Sequence, residues 1–210
     1  MKLYCMQVAP NPTKVMLYIA EKIAGGASLD ITEIPVKLMK GEQHLPAHRR
    51  RTPFATLPVL EIEPGDYIIE SLSIMAYLED RYPQPCMIGA SARERARISE
   101  LERIADLRVL SPIARFIHAT HSPIGLPPSA DIAAQARLDF TPGLEYFDAC
   151  FDDDRSFVAG ETVTMADCTL AAALQFARFA ELDIDPDFAN VHRWDMDYRR
   201  RDAAQAVLVV

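Results

Sequence analysis

Cysteine is scarce in this sequence, with four residues among 210, and no two of them form a Cys-x-x-Cys pair. Cys5, Cys86, Cys150 and Cys168 are scattered along the chain, and no histidine stands at ligand spacing from any of them. Zinc sites and disulfide frameworks both need cysteines grouped at defined intervals. We therefore expect four free thiols and no bound metal.

The sequence also lacks an excess of positive charge and a long apolar run. Its 22 Lys and Arg residues against 30 Asp and Glu give a formal net charge of −8, whereas nucleic acids and anionic membranes require a basic face. No run of about 18 apolar residues occurs, and the N-terminus does not read as a cleavable leader. We expect a cytoplasmic protein that binds neither nucleic acid nor membrane.

Hydrophobic residues occupy 50% of the positions, enough to form a full core over one or two domains. In the first half, an apolar helical pattern begins at Pro10 and stops at Gly25. It separates two strand-like segments, an order that predicts a parallel pair with a right-handed crossover. A later antiparallel pair completes a small thioredoxin-like α/β domain. The predicted strands are residues 2–8, 29–36, 57–62 and 67–69.

Prolines and a glycine in residues 82–91 mark a break in composition and a predicted linker. Every pattern beyond it is helical. Thr164, followed three residues later by Asp167, predicts a capping box that is structural. The predicted helices are residues 93–118 with a kink at Pro112, residues 130–151 with a weak point at 142–143, and residues 165–180.

Residues 52–60 carry the most informative pattern of the chain, Thr-Pro-Phe-Ala-Thr-Leu-Pro-Val-Leu. Pro58 interrupts a run that otherwise reads as a strand. A cis Leu57–Pro58 bond would turn the N–H and C=O of Leu57 away from the sheet, where they could bind an extended peptide. The alternative is an ordinary trans proline in a loop.

Glu70 and Ser71 precede apolar residues at helical spacing, which predicts Ser71 as the N-cap of a helix. A helix start suits a ligand carboxylate, because it presents unpaired N–H groups and the positive end of the helix dipole. Glu70 could bind an ammonium group beside it, so the pair suits an α-amino-acid head group. The alternative is that Ser71 only caps the helix and Glu70 is solvated.

These motifs, in this order and spacing, resemble those of the soluble glutathione transferases, of the bacterial, theta- or nu-like branch. In the first half the resemblance rests on residues 2–4, 10–15, 40–44 with Pro46, 52–60 and 70–71. In the second half it rests on residues 158–168, which read Val-Ala-Gly-Glu-Thr-Val-Thr-Met-Ala-Asp-Cys.

The resemblance implies a glutathione transferase fold. We expect a thioredoxin-like glutathione-binding domain over residues 1–81, a linker over 82–91 and an all-helical domain over 92–210 that lines the electrophile site. It implies a homodimer that binds glutathione as co-substrate and transfers its thiolate to a small hydrophobic electrophile, in detoxification. Two alternatives are a glutathione-dependent disulfide reductase or peroxidase, and a non-catalytic glutathione-binding regulatory protein.

The position that should activate the glutathione thiol departs from the family pattern. The resemblance aligns the usual Ser or Cys with Ala9, which can donate no hydrogen bond to sulfur. Asn11 matches an Asn found in related branches and is our candidate for the catalytic role. Tyr4 is the alternative, as in tyrosine-type members, and Cys5 reads as a buried small hydrophobe.

The remaining site residues follow from the resemblance as well. Gln43 and His44 align with the residues that hold the glycyl carboxylate of glutathione, and Thr56, Leu57 and Pro58 with those that hold its cysteinyl segment. Glu70 and Ser71 complete the predicted glutathione site. The predicted electrophile pocket is lined by Ala9 and, from the long helix, by Leu107, Val109, Phe116 and His118.

Overall fold

The computed structural model describes residues 1–209 and begins with a four-stranded sheet in the order β2-β1-β3-β4. The central strand β1 runs parallel to β2 and antiparallel to β3, which in turn pairs antiparallel with β4. This mixed sheet with its helical crossover is the predicted thioredoxin-like arrangement. The strands are β1 (Lys2–Cys5), β2 (Thr32–Pro35), β3 (Val59–Glu63) and β4 (Asp66–Ile69).

The strands are shorter than predicted at the edge that faces the ligand-binding loops. β1 ends at Cys5, because the chain turns before Val8, whose φ of 75° is incompatible with a strand. β3 begins only at Val59, immediately after the Leu57–Pro58 peptide bond, which is cis as predicted. The predicted strand over residues 29–36 narrows to Thr32–Pro35.

Helices cover the sheet, and the side chains of β1 belong to two separate hydrophobic cores. Leu3 and Cys5 belong to the large core shared with the helical half, whereas Tyr4 points to the opposite face and packs with Val36 and Val59. This alternation is the period of two expected of a strand. The helices of the first half are α1 (Pro10–Ala24), α2 (Pro46–Arg49) and α3 (Ser71–Arg81), with 3₁₀ turns at Leu38–Lys40 and Glu42–His44.

The start of α3 corrects one prediction. Ser71 is the first helical residue rather than the N-cap, and the N-cap is Glu70, whose φ is 70°. The backbone explains the difference, because the carbonyl of Glu70 accepts the first helical bond, from the Ile74 N–H at 3.0 Å. The Ser71 side chain is therefore free for another partner.

The second half is a helical bundle, and its first long helix contains a π-helical segment close to Pro112, where the sequence predicts a kink. This segment, Ala105–Leu110, ends two residues before Pro112. Gly143 lets α6 approach this segment closely, since a Cβ there would lie 2.3 Å from the Arg108 carbonyl oxygen. The helices are α4 (Ala92–Ile104), α5 (Ser111–Thr120), α6 (Ala130–Cys150), α7 (Met165–Phe179), α8 (Ala189–Tyr198) and α9 (Asp202–Val207).

Buried polar contacts join the two halves around α1, which packs against α3, α7 and α9. Glu21 on α1 forms a bidentate pair with Arg201, at 2.7 and 2.9 Å, which binds the C-terminal helix to the first domain. Lys22 lies 2.6 Å from Glu79 on α3. The domain limits 1–81, 82–91 and 92–210 stay a prediction, and the last ends one residue outside those described.

Candidate functional site

A cleft of about 420 Å³ opens between the two halves at the N-terminal end of α1. The first domain supplies the β1–α1 loop, the first 3₁₀ turns and the loop before β3. The second domain supplies α5, the segment after it and α7. The lining residues are 6–12, Leu38, Met39, Gln43, Ala55, Thr56, Leu57, Ala114, His118, Pro123, Ile124, Phe176 and Phe179.

The first turn of α1 presents one backbone donor to this cleft. Pro10 and Pro12 carry no N–H, and the Thr13 N–H bonds the Ala9 carbonyl at 2.9 Å. The remaining N–H of the turn is that of Asn11. Ala9 is the N-cap and contributes no side-chain bond, so the positive end of the helix faces the cleft without a capping hydroxyl.

The Asn11 side chain is exposed and is oriented from α3. The Ser71 hydroxyl donates to Asn11 Oδ1 at 3.4 Å, an assignment of the amide that follows from this bond. The amide N–H₂ of Asn11 is then directed away from Ser71 as a donor. Ser71 and Glu70 do not themselves line the cleft within residues 1–209, and Ser71 contacts it through Asn11.

His118 faces the cleft from α5, opposite the first domain. Its Nδ1 lies 3.0 Å from the Ser122 hydroxyl, and its ring packs 6.2 Å from that of Phe176. Burial lowers the pKa of the His118 imidazole below its ordinary value of 6.5, because desolvation disfavours the cation. Among the described residues that line the cleft, His118 alone has an imidazole, the side chain suited to accept a proton.

The predicted glutathione-binding residues are divided by the structure. Gln43 is buried and lines the cleft together with Thr56 and Leu57. His44 is exposed and lies outside the wall. The Gln43 Oε1 atom is buried without a protein partner in the described part of the chain, so an acceptor with unused capacity lies at the cleft wall.

Several predicted residues lie elsewhere. Tyr4 donates its hydroxyl to Glu61 at 2.8 Å on the far face of the sheet, beneath the Arg51 guanidinium. Burial and then Glu61 raise the pKa of Tyr4, so its phenol is neutral and already bonded. This corrects the alternative catalytic assignment. Burial likewise raises the pKa of the Cys5 thiol to about 12, which disfavours its thiolate, and Cys5 lies in the core as expected.

The predicted electrophile wall also needs correction. Leu107 is 59% exposed on the outer surface, and Phe116 packs edge to face on Phe140 at 6.0 Å between α5 and α6. Both point away because the π-helical segment and α5 change the helical phase relative to a single straight helix. Phe176, Phe179 and Ile124 form the wall instead, and sequence periodicity alone does not separate them from core residues.

A thioredoxin-like domain followed by a helical bundle, with a cleft over the first turn of α1, defines a class of two-domain proteins. Two protein-family models that match this sequence identify that class. The glutathione S-transferase N-terminal domain matches residues 3–86, and the C-terminal domain matches residues 130–194. These matches follow each other in the family order and cover well over half of the chain.

Individual relatives agree with that match. Glutathione S-transferase 2 of Saccharomyces cerevisiae is 26% identical over all of this chain and 90% of its own length. A probable maleylacetoacetate isomerase 2 of Drosophila melanogaster is 28% identical over 82% of this chain and 74% of its own. A glutathione S-transferase domain-containing protein of Marinobacter aquaeolei superposes with a TM-score of 0.87 at 28% identity, over 97% and 100% of the two chains. The chain belongs to the glutathione S-transferase family.

No helix within residues 1–209 combines the length and the apolar character needed to cross a membrane. In the same residues, His, Cys, Asp and Glu side chains do not form a group of three that could hold a metal ion.

Proposed function

We propose that this protein is a glutathione transferase that binds glutathione in the interdomain cleft and transfers its thiolate to a small apolar electrophile. The carrying observation is the meeting of the α1 N-terminus, Asn11 and the Leu57 backbone on one side of the cleft with His118 on the other. The relatives named as transferases support the same activity.

In the proposed orientation the γ-glutamyl head group of glutathione would lie past Asn11, toward Glu70 and Ser71. Its glycyl carboxylate would lie toward the side-chain N–H₂ of Gln43 and the neighbouring His44. Its cysteinyl backbone would pair with Leu57, between Thr56 and Pro58. The sulfur then lies over Ala9 at the start of α1, where the helix dipole favours the thiolate.

The structure supports two partners for the sulfur. Asn11 donates from its backbone N–H and its side-chain amide and stabilises the thiolate. His118, kept neutral by burial, accepts the thiol proton. The sequence predicts Asn11 for this role, with Tyr4 as the alternative, and places His118 only among the residues that line the pocket. A histidine more than 100 positions from Asn11 carries no local signal of a catalytic part.

The second substrate is neutral and apolar in this proposal. Phe176 and Phe179 stack 6.4 Å apart at the cleft wall, beside Met39 and Ile124. No Lys or Arg side chain lines the cleft in the described part of the chain. A dicarboxylate such as maleylacetoacetate would lose hydration there without a cationic partner, which disfavours the isomerase reaction named for some relatives.

The finer assignments of partner, branch and compartment stay predictions. A homodimer is supported by large apolar side chains on the surface, among them Phe54, Leu107 and Leu138, which are 66%, 59% and 69% exposed. Equilibrium sedimentation tests it, and a monomer at micromolar concentration would contradict it. The theta- or nu-like branch rests on the sequence motifs by which the chain resembles the family, and the cytoplasmic location rests on the composition.

One experiment separates the transferase from its alternatives. Turnover of glutathione with a chlorodinitrobenzene and with a glutathione mixed disulfide is measured side by side, with calorimetric binding of glutathione on the same sample. We expect faster conjugation than disulfide reduction. The reverse order would show a reductase, and binding without either reaction would show a regulatory protein. Absence of binding would refute the proposed ligand.

A further inference from the structure

The loop between α2 and β3, residues 52–57, forms one wall of the cleft with Ala55, Thr56 and Leu57. It has no regular secondary structure, and Ala55 has a φ of 55°, a conformation that L-residues rarely adopt. A loop of this kind keeps its shape only when its surroundings hold it. The residues that hold this loop therefore affect the shape of the cleft wall and the binding of a ligand.

The loop is held from α2 by three polar contacts. The Thr52 N–H bonds the His48 carbonyl at 3.1 Å, and the Arg49 guanidinium donates to the Pro53 carbonyl. The third contact is closest to the cleft, where His48 Nε2 lies 3.0 Å from the Thr56 carbonyl oxygen. Because a carbonyl oxygen only accepts, the proton is on Nε2 and the tautomer is assigned.

His48 is 2% exposed, and this bond is its single side-chain bond within residues 1–209. Its Nδ1 is buried without a partner in the described part of the chain. A buried imidazole that uses only one of its nitrogens is costly where an apolar ring would pack. The bond to Thr56 is what distinguishes histidine from such a ring at this position.

That bond also sets the direction of the next donor. The Thr56–Leu57 peptide is planar and trans, so its C=O and N–H point in opposite directions. With the Thr56 oxygen held toward His48, the Leu57 N–H is directed away from His48. Leu57 precedes β3, which starts at Val59, so this N–H lies outside the ladder of the sheet.

We propose that His48 is a positioning residue for glutathione: through the Thr56 carbonyl it orients the Leu57 N–H that receives the ligand backbone. This inference rests on the proposed function for its ligand, but the held loop exists in the free protein. His48 itself does not line the cleft. Its effect therefore falls on binding and not on the chemical step.

The test compares two variants with a matched control. His48→Phe keeps the ring and loses the donor, and His48→Gln restores an N–H donor of similar reach. His192→Phe removes a bond of the same type, from His192 Nε2 to the Asp185 carbonyl at 3.0 Å, at an exposed position that does not line the cleft. Each protein is assayed for glutathione affinity by calorimetry, for KM and kcat, and for amide exchange of residues 53–58 without ligand.

We expect His48→Phe to weaken glutathione binding and raise its KM by about tenfold, with kcat at saturating glutathione within about twofold of wild type. Amide exchange in residues 53–58 should accelerate. His48→Gln should recover most of both effects, and His192→Phe should show neither.

Unchanged exchange and unchanged KM in His48→Phe would overturn the inference, as would an equal change in His192→Phe. If wild type fails to bind glutathione, the proposed function fails. Amide exchange then decides the role of His48 by itself, since faster exchange in His48→Phe that His48→Gln reverses supports the loop contact and unchanged exchange refutes it.

Discussion

At the scale of single residues, the start of α1 lacks the hydroxyl that would activate the glutathione thiol, because Ala9 stands at that position. Ala9 occupies the N-cap without a side-chain bond, and the prolines at positions 10 and 12 remove two of the N–H groups that a first turn ordinarily offers. The donors that remain belong to Asn11, through both its backbone and its amide. Thiolate stabilisation is therefore concentrated on one residue.

Replacement of Asn11 tests whether this residue stabilises the thiolate. Asn11→Ala should raise the apparent pKa of bound glutathione, measured from thiolate absorbance against pH, because a hydrogen bond to a charged group contributes about 1.5 to 3 kcal/mol. Ala9→Ser should lower that pKa and increase conjugation of an aryl halide, since it adds a donor beside the sulfur. If Asn11→Ala changes neither titration nor rate, Asn11 has no part in activation.

His118 should determine the acid limb of the activity. Burial disfavours the imidazolium and lowers the His118 pKa below 6.5, and only the neutral ring can accept a proton. The kcat/KM of wild type should therefore fall as the pH drops through a pKa lower than 6.5. His118→Gln should lose this limb and reduce kcat/KM at neutral pH by about 100-fold.

Ser122→Ala is the accompanying control, because it removes the neighbour of Nδ1 and leaves the ring in the cleft. We expect a much smaller loss of rate and a retained acid limb. An acid limb that persists unchanged in His118→Gln would assign the proton acceptor elsewhere.

At the scale of elements, the buried helix α7 depends on its first turn. Asp167 is fully buried and accepts three bonds, from the Val158 N–H at 2.7 Å and from the N–H and hydroxyl of Thr164 at 2.8 and 2.9 Å. These contacts form the predicted capping box and also anchor the turn that precedes it. The carboxylate thus joins the backbone at Val158 to the backbone at Thr164.

Loss of this carboxylate should destabilise the fold and spare the site. Asp167→Ala leaves two buried N–H groups unsatisfied and should lower the free energy of unfolding by about 3 kcal/mol, measured by denaturant titration. KM for glutathione in the folded fraction should not change. A raised KM at full stability would contradict the structural role.

Asp167 should also make the free energy of unfolding depend on pH, in a direction set by its pKa. Burial raises the pKa of Asp167 to about 6 in the folded protein, against about 3.9 in an unfolded chain. The folded state thus binds the extra proton between these values, so this contribution to stability is complete below about pH 4 and is lost as the pH rises through 6. Wild type should lose stability relative to Asp167→Asn over that interval, and a constant difference would contradict the shift.

At the scale of the whole molecule, a buried ion pair attaches the linker to the first domain. Lys22 is 0% exposed and lies 2.6 Å from Glu79, while it donates to the Tyr82 and Pro85 carbonyls at 2.8 and 2.6 Å. Glu79 in turn accepts from the Met87 N–H at 3.0 Å. Lys22 and Glu79 therefore each bind backbone groups of the segment between the domains.

Lys22→Met should cost about 3 to 5 kcal/mol of unfolding free energy, since it leaves Glu79 buried without its cation. The double variant with Glu79→Gln should recover part of the loss. Lys2→Met is the control. Lys2 lies 3.4 Å from Glu61, but its side chain is 52% exposed, and ion pairs at exposed sites contribute about 0 to 1 kcal/mol. Equal losses in the two single variants would refute a special role for Lys22.

Local patterns were sufficient for much of the fold. A strand near the N-terminus and the capping box at Thr164 each follow from neighbours within a few positions, and the structure confirms them. Ser71 was misplaced by one residue, because helix starts depend on the φ of the preceding residue, which sequence does not state.

The sequence alone determined the family, the thioredoxin-like half, the helical half and the loop that carries Leu57, because these depend on periodicity and on motifs of short span. Only the tertiary structure decided which side chains share the cleft. His118 and Phe176 meet Asn11 there, while Leu107 and Phe116 turn away, because helix phase after the π-helical segment and the docking of the two halves are long-range properties of packing. For the same reason the contact from His48 to Thr56 became visible only in the folded chain.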